Sequence, residues 1–444
     1  MRRQAESCHW SRTHNWCIAL VKLNLAYGKG GLDLSLPDDL NVDVIQPQHV
    51  EAPADQTDAV RDALRNPIGS RPLRDLVRSS DAVAIVCNDV TRPTPYRTIL
   101  PVLWDELSHV RDSDIVLLIA TGTHRACTPD ELEAMFGRQI VQRLRIVQND
   151  AYDHDSHALV GTTVSGNPIW IHKEYLRCGV RILTGFIEPH FFAGFSGGGK
   201  ACMPGLSLFE TIRNNHCAGN LDHPKATWGV THGNPLWEEI RDAASMAGPA
   251  FLLNVALNRD KEIAAVFGGD LKQAHEQGCA FVRQHAMAQV AAPYDIVIAG
   301  NGGYPLDLNL YQSVKAMSAA ARILKPGGSI IVAASCWDGI PDHGHYKRLL
   351  FEAASPASLL AEIRAGGCPV QDTWQVQIHA SICGRTDVYL FSDHLADEEI
   401  ERAMLKPCRD IAATVDRLLQ SHGRDASICV LPDGPQTIPY IAEK

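Results

Sequence analysis

Short apolar runs that alternate with amphipathic helical stretches constrain this chain more than any other feature. Asp81–Cys87 (DAVAIVC), Asp114–Ala120 (DIVLLIA) and Val180–Ile187 are β-rich and bounded by polar residues. Runs that are apolar throughout, without polar alternation, suit strands buried on both faces. Between them, residues 96–110 read as a helix, and TPDELEAMFG opens another. Thr128 can cap that helix and Glu131 can complete a capping box. A further helix spans 270–292, ahead of Pro293. Then come the strand YDIVIAG, the loop NGGYPLD, the helix LNLYQSVKAMSAAARIL, the turn KPGG and the strand SIIVAAS. Such alternation implies mostly parallel sheets with helices on their faces.

A chain of 444 residues exceeds one ordinary core, so two domains are expected. The expected fold is α/β, with two α/β domains, mostly parallel sheets and the active site in the cleft between them. Residues 1–20 read as an N-terminal extension. Residues 21–285 read as a cofactor-binding and catalytic domain, completed by the tail 425–444. Residues 286–424 read as a smaller substrate domain.

Composition removes several classes of function. Hydrophobic residues make up 45% and charged residues 21%, as in a globular protein with a large core. The net charge of −10 argues against nucleic acid or an anionic membrane as partner. The 13 cysteines are scattered, with no C-x-x-C pair, so a disulfide framework or four-cysteine zinc site is not expected. Reduced thiols fit a cytoplasmic setting. No stretch reads as a membrane span or a signal peptide.

The chemistry concentrates where strands end. In parallel sheets, ligands bind at the loops beyond the carboxyl ends of strands. Three such loops are NDVTRPTP, TGTHRACT and EPHFFAGFSGGGK. The last holds Gly194-x-x-x-x-Gly199-Lys200, which is P-loop spacing, but Ala201 stands where a P-loop has its metal-binding Ser or Thr. Gly194 also lies well past the end of its strand, which disfavours a nucleoside-triphosphate site. His124, His190 and His216 lie near this loop, and histidine can serve as acid, base or metal ligand. His223 and His232 compete with His216 as ligand. His154 and His157 read as loop residues. Arg92 suits an anionic group, or else pairs with Asp89 in its own loop. Gln312 and Lys315 share a helix face, from which Lys315 can reach an anion. NGGYP lacks the dinucleotide glycine pattern. These residues alone leave open a zinc-dependent hydrolase or lyase using the histidines, and a non-enzymatic nickel or cofactor carrier.

Seven motifs occur together and in order: DVTRPTP, GTHRACT, EPHFFAGFSGGGK, RNNH, GYPLDLNLYQSVK, DTWQ at 372–375 and VLPDGPQTIPY. From about Lys22 onward the chain resembles the nickel-pincer-nucleotide-dependent lactate racemase family. The resemblance implies a racemase or epimerase that inverts C2 of a 2-hydroxy acid, lactate or a longer one, by reversible hydride transfer. The implied cofactor is a nickel(II) pyridinium-3,5-bisthiocarboxylic acid mononucleotide, tethered through Lys200, with His216 as protein ligand to nickel. His124 and His190 are the implied acid/base pair. Asp89, Val90, Thr91 and Arg92 match a cofactor-binding loop. Arg92, Tyr311, Gln312, Lys315 and Trp374 match positions that bind substrate or border it. Cofactor-biosynthesis enzymes are implied as transient partners, and the oligomeric state stays open.

Overall fold

In the computed structural model, which describes residues 20–367 and 369–441, the chain forms two six-stranded sheets. The first runs Ile263–Asp270, Phe251–Leu257, Val180–Phe186, Val83–Asn88, Ile115–Ala120 and Arg145–Gln148. Its neighbours are parallel except at the antiparallel Ile263–Asp270 edge. The second runs Lys406–Cys408, Asp387–Phe391, Leu324–Ala333, Tyr294–Gly300, Ile428–Leu431 and Val42–Val44, parallel throughout. The expected α/β architecture of two mostly parallel sheets is therefore present.

Period-2 side-chain alternation divides the cores. Ala84 and Val86 face inward, into an apolar cluster that also holds Val297 and Ile330 of the second sheet. Val83, Ile85 and Cys87 pack outward against helix Tyr96–Glu106. Ile296 and Ile298 face a third cluster, with Leu36 and Val415. The inner faces of the two domains thus share one core. Apolar packing, as well as the linkers, holds the walls of the cleft together.

The sheets divide the chain differently from the expected boundaries. The hairpin Leu20–Leu25 and Leu32–Pro37 packs on the second sheet, and Val42–Val44 is that sheet's edge strand. The tail does not return to the first domain. Ile428–Leu431 lies inside the second sheet, and Ile438–Ile441 pairs with Met287–Val290 near the linker. A strand's apolar face reports that it is buried, not which sheet buries it, so the partner of a short terminal strand is settled by packing. The expected N-terminal extension lies outside the described residues apart from Leu20.

Element ends also shift. The helix expected over 270–292 stops at Ala286, and Met287–Val290 leaves it as a strand. KPGG is not a turn but part of the strand Leu324–Ala333. Gly327, at φ +78°, sits where the register slips opposite Tyr294–Ile296. Two steps along Tyr294–Ile296 face five along Leu324–Ser329, so three extra residues are absorbed there as an irregularity in the ladder. The chain crosses between domains through residues 45–55 and again through 287–293, with Gln48 N–H donating to the His285 carbonyl where the crossings meet.

Candidate active site

Three adjacent parallel strands of the first sheet deliver the three loops to one place. Val180–Phe186, Val83–Asn88 and Ile115–Ala120 are consecutive neighbours, so the loops beyond their carboxyl ends lie side by side. Asp89 and Arg92 come from one, His124 from the next, and His190 and Lys200 from the third. All five line one pocket. Asp89 is buried and its Oδ2 accepts from His124 Nδ1 at 2.6 Å. Thr91 does not line the pocket. Its backbone N–H and hydroxyl both donate to Asp89 Oδ1, at 3.1 and 2.6 Å, fixing the carboxylate. Burial alone would raise the Asp89 carboxyl. His124, Arg92 and Thr91 outweigh that and hold it at about 2. The carboxylate is therefore ionised, and it orients the His124 ring through Nδ1.

The glycine loop is locked from beneath. Pro189–His190 pairs with Gly194–Phe195, placing His190 in a tight hairpin. Gly198, at φ +57°, donates its N–H to Asn254 Oδ1 at 2.8 Å. A Cβ there would come within 2.6 Å of the His275 ring, so side chains are excluded. His275 Nε2 in turn bonds the Ser196 carbonyl at 2.9 Å. Gly198–Ala201 then forms a single 3₁₀ turn that presents Lys200 to the pocket. Lys200 is half-buried, its remaining surface being pocket wall. Burial pushes its amine well below the ordinary lysine value, and Arg92 and Lys315 push it further. An amine held below its ordinary value is more readily available as a nucleophile and offers a point of covalent attachment.

His190 and His216 share this environment. Burial, reinforced by Lys200, Lys315 and Arg92, holds the His190 imidazole well below its ordinary value. Its Nδ1 accepts the Ala193 N–H at 3.2 Å, which leaves the neutral ring's proton on Nε2. His216 follows helix Phe209–Asn215. Burial and then Lys200 bring it to about 3, and its buried Nδ1 has no hydrogen-bond partner among the described residues. Phe192 packs edge-on against both rings, 4.5 Å from His190 and 5.1 Å from His216.

The second domain closes the pocket with two helices. Leu310–Ala321 supplies Tyr311, Gln312 and Lys315, and Thr373–Cys383 supplies Trp374. The Trp374 indole donates to the Tyr311 hydroxyl at 2.9 Å and stands 5.2 Å from the His216 ring. Gln375 donates to the Tyr311 carbonyl at 2.5 Å. Just ahead of this helix, Gln371 reaches across the cleft. Its amide donates to the Thr123 carbonyl at 2.8 Å and accepts from the Tyr152 hydroxyl at 2.5 Å.

Ten of the twelve residues expected at the site line this one pocket; Val90 and Thr91 do not. His223 and His232 are exposed and outside it. His154 is exposed, and buried His157 is satisfied by Asn149 and the Asp153 carbonyl. Sequence reasoning missed Phe192, Gln371, Gln375 and His275. Phe192 and Gln375 stand inside quoted motifs, but no spacing rule marks them as pocket wall. Among the described residues, no group of three or more His, Cys, Asp and Glu side chains is placed to hold a metal ion. A zinc site built from three protein ligands is therefore not formed by these side chains. No helix among the described residues is long and apolar enough to cross a membrane.

Comparison with known proteins agrees with this layout. Residues 27–229 match the model of the lactate racemase N-terminal domain and residues 289–438 that of the lactate racemase C-terminal domain. The lactate racemase of Thermoanaerobacterium thermosaccharolyticum is 36% identical over 424 residues, spanning 94% of this chain and 99% of the relative. That of Lactiplantibacillus plantarum is 35% identical over 422 residues, with the same coverage. The structure of the Thermoanaerobacterium thermosaccharolyticum lactate racemase apoprotein superposes with a TM-score of 0.87, at 36% identity, over 95% of this chain and 100% of that one. A Thermotoga maritima protein shares the fold, with a TM-score of 0.70 at 18% identity, over 88% of this chain and 100% of that one. The chain belongs to the lactate racemase family and is an isomerase.

Proposed function

We propose that the protein racemises lactate or epimerises a longer 2-hydroxy acid, using a nickel-pincer nucleotide tethered to Lys200. The observation that carries this reading is the convergence on one pocket of a half-buried lysine whose amine is held below its ordinary value, an imidazole, His216, whose buried Nδ1 has no partner among the described residues, and two further histidines. The residues fit the cofactor. Lys200 offers a nucleophilic amine for attachment. His216 offers one nitrogen donor, which suffices for nickel when sulfur and carbon donors come from the nucleotide. Gly197 and Gly198 let the backbone pack directly on Asn254 and His275, which fixes the loop that carries Lys200.

When bound, the cofactor would supply a reversible acceptor for the hydride on C2 of the substrate. The chain's own residues do the rest. Arg92 and Lys315 line the pocket as cations and bind the carboxylate, with Gln312 donating beside them. His124, held by Asp89, takes the hydroxyl proton at Nε2 for one enantiomer. His190 would give a proton to the substrate oxygen from its doubly protonated ring, so that no imidazolate forms, and as a neutral ring it would accept one. Reversal exchanges the two roles, as a racemase requires. Phe192, Tyr311 and Trp374 enclose the site and exclude water, strengthening these charge interactions.

The test is to prepare the protein with its cofactor attached and screen it against chiral 2-hydroxy acids, following both enantiomers. The expected result is inversion at C2 together with a mass adduct on Lys200. An active enzyme with neither adduct nor nickel sinks the mechanism. A loaded enzyme that leaves every 2-hydroxy acid unchanged sinks the substrate class.

A further inference from the structure

Two buried groups on opposite sides of the cleft lack hydrogen-bond partners among the described residues: Glu188 Oε1 and Lys315 Nζ. They lie 3.8 Å apart, with side chains 8% and 7% exposed. Glu188 follows strand Val180–Phe186 of the first domain, and Lys315 belongs to helix Leu310–Ala321 of the second. Glu188 does not line the central pocket. It lines an adjoining cavity, beside the linker residues Gln46–Val50, and so meets the ammonium from behind.

The charges around Lys315 explain why a carboxylate is needed there. Arg92 faces it within the pocket, and Lys200 and His190 also feel its charge. Asp89 is the other acid near it, but that carboxylate is already held by His124 and Thr91. Cations crowded into a water-poor cavity lose their protons unless a counter-charge is supplied. At 3.8 Å, Glu188 supplies charge without occupying an N–H of the ammonium. All three donors stay free for an incoming ligand.

We propose that Glu188 is a positioning residue, whose carboxylate keeps Lys315 charged and directed into the pocket when the cleft is shut. This rests on the reading that Lys315 binds the substrate carboxylate. Burial and Arg92 lower the Lys315 amine to about 8, against the opposing pull of Glu188 and Asp89. Lys315 therefore titrates just above neutrality, where losing Glu188 has most effect.

Cyanate carbamylation of the apoprotein, read by peptide mass spectrometry across pH, follows the neutral Lys315 amine directly. In Glu188→Gln the midpoint should fall by about one pH unit or more, roughly a tenfold rise in neutral amine at a given pH below it. Glu188→Asp keeps the charge and should stay close to wild type. An unmoved midpoint in Glu188→Gln overturns the proposal, as does an equal shift in both variants. In the cofactor-loaded enzyme, KM for the hydroxy acid should begin to climb at lower pH in Glu188→Gln, with kcat near pH 6 unchanged. If the carbamylation midpoint moves and the KM profile does not, Glu188 has the proposed role and the carboxylate-binding reading of Lys315 fails.

Discussion

The two walls of the cleft are built by different means. The first-domain wall consists of loops at the ends of adjacent parallel strands, and each loop is tied down by its own bonds. Thr91 pins Asp89, Asn254 pins Gly198, and His275 pins Ser196. The second-domain wall consists of side chains on two packed helices, with Tyr311 receiving bonds from Trp374 and Gln375. Loops at strand ends can bring unlike groups together from distant points of the chain. A helix face offers few positions but holds them rigidly. In the proposed reaction, covalent and proton-transfer roles lie on the first wall, and substrate recognition lies mainly on the second.

Removing the anchor breaks this comparison most severely. Lys200→Ala should abolish racemisation and the mass adduct together, while the apoprotein still folds. Retained activity in that variant would remove the first wall's defining role. Next come His124→Ala and His190→Ala. Each should lower kcat by ~10²–10⁴-fold while the Lys200 adduct persists. On the second wall, Lys315→Ala should act chiefly on KM. Loss of a charged hydrogen bond costs about 1.5–3 kcal/mol, or roughly 10- to 150-fold. A fall in kcat with KM unchanged would show that this wall does chemistry after all.

A fourth prediction concerns the support beneath the glycine loop. Burial first, then Lys200, lowers His275 to about 4 in the folded state, although its bond to Ser196 pulls the other way. As pH falls below about 6.5, the unfolded chain takes up this proton and the folded chain does not. The stabilisation is thus present above 6.5 and is lost as pH falls toward 4, at ~1.4 kcal/mol per pH unit for one residue. Melting temperatures of the apoprotein should fall less steeply with acid in His275→Gln than in wild type. Equal slopes would refute the account of that histidine. The smallest effect is expected for Gln371→Ala, which cuts the tie from the second domain to Thr123 and Tyr152. At about 0.5–1.5 kcal/mol per bond, turnover should drop several-fold with the Lys200 adduct intact.

Much of the site was legible because its residues sit at strand ends. Apolar runs locate strands, and parallel pairing then brings the following loops together, so Asp89, His124 and Lys200 converge by topology alone. The Thr128–Glu131 capping box was readable for the same local reason and is present. Gln371 and Gln375 were not readable, since each bonds a neighbour distant in the sequence, and Phe192 was not, since no spacing rule marks a pocket wall. Nor was the exchange of terminal segments. Val42–Val44 and Ile428–Leu431 carry no mark of the sheet they join, and both lie in the second. Gln371 bonds a residue 248 positions away, a relation that no local pattern encodes.

The sequence by itself determined the α/β class, the positions of most strands and the set of reactive side chains, because burial and periodicity are local properties. The glycine loop belongs to that set: its spacing limited what could stand there, and Ala201 argued against a triphosphate site. Only the tertiary structure decided that Lys200 is enclosed beside two histidines, that Lys315 faces Arg92 with Glu188 behind it, and that the terminal segments complete the second sheet. Those facts depend on which surfaces exclude water together, and that is a property of the packed chain.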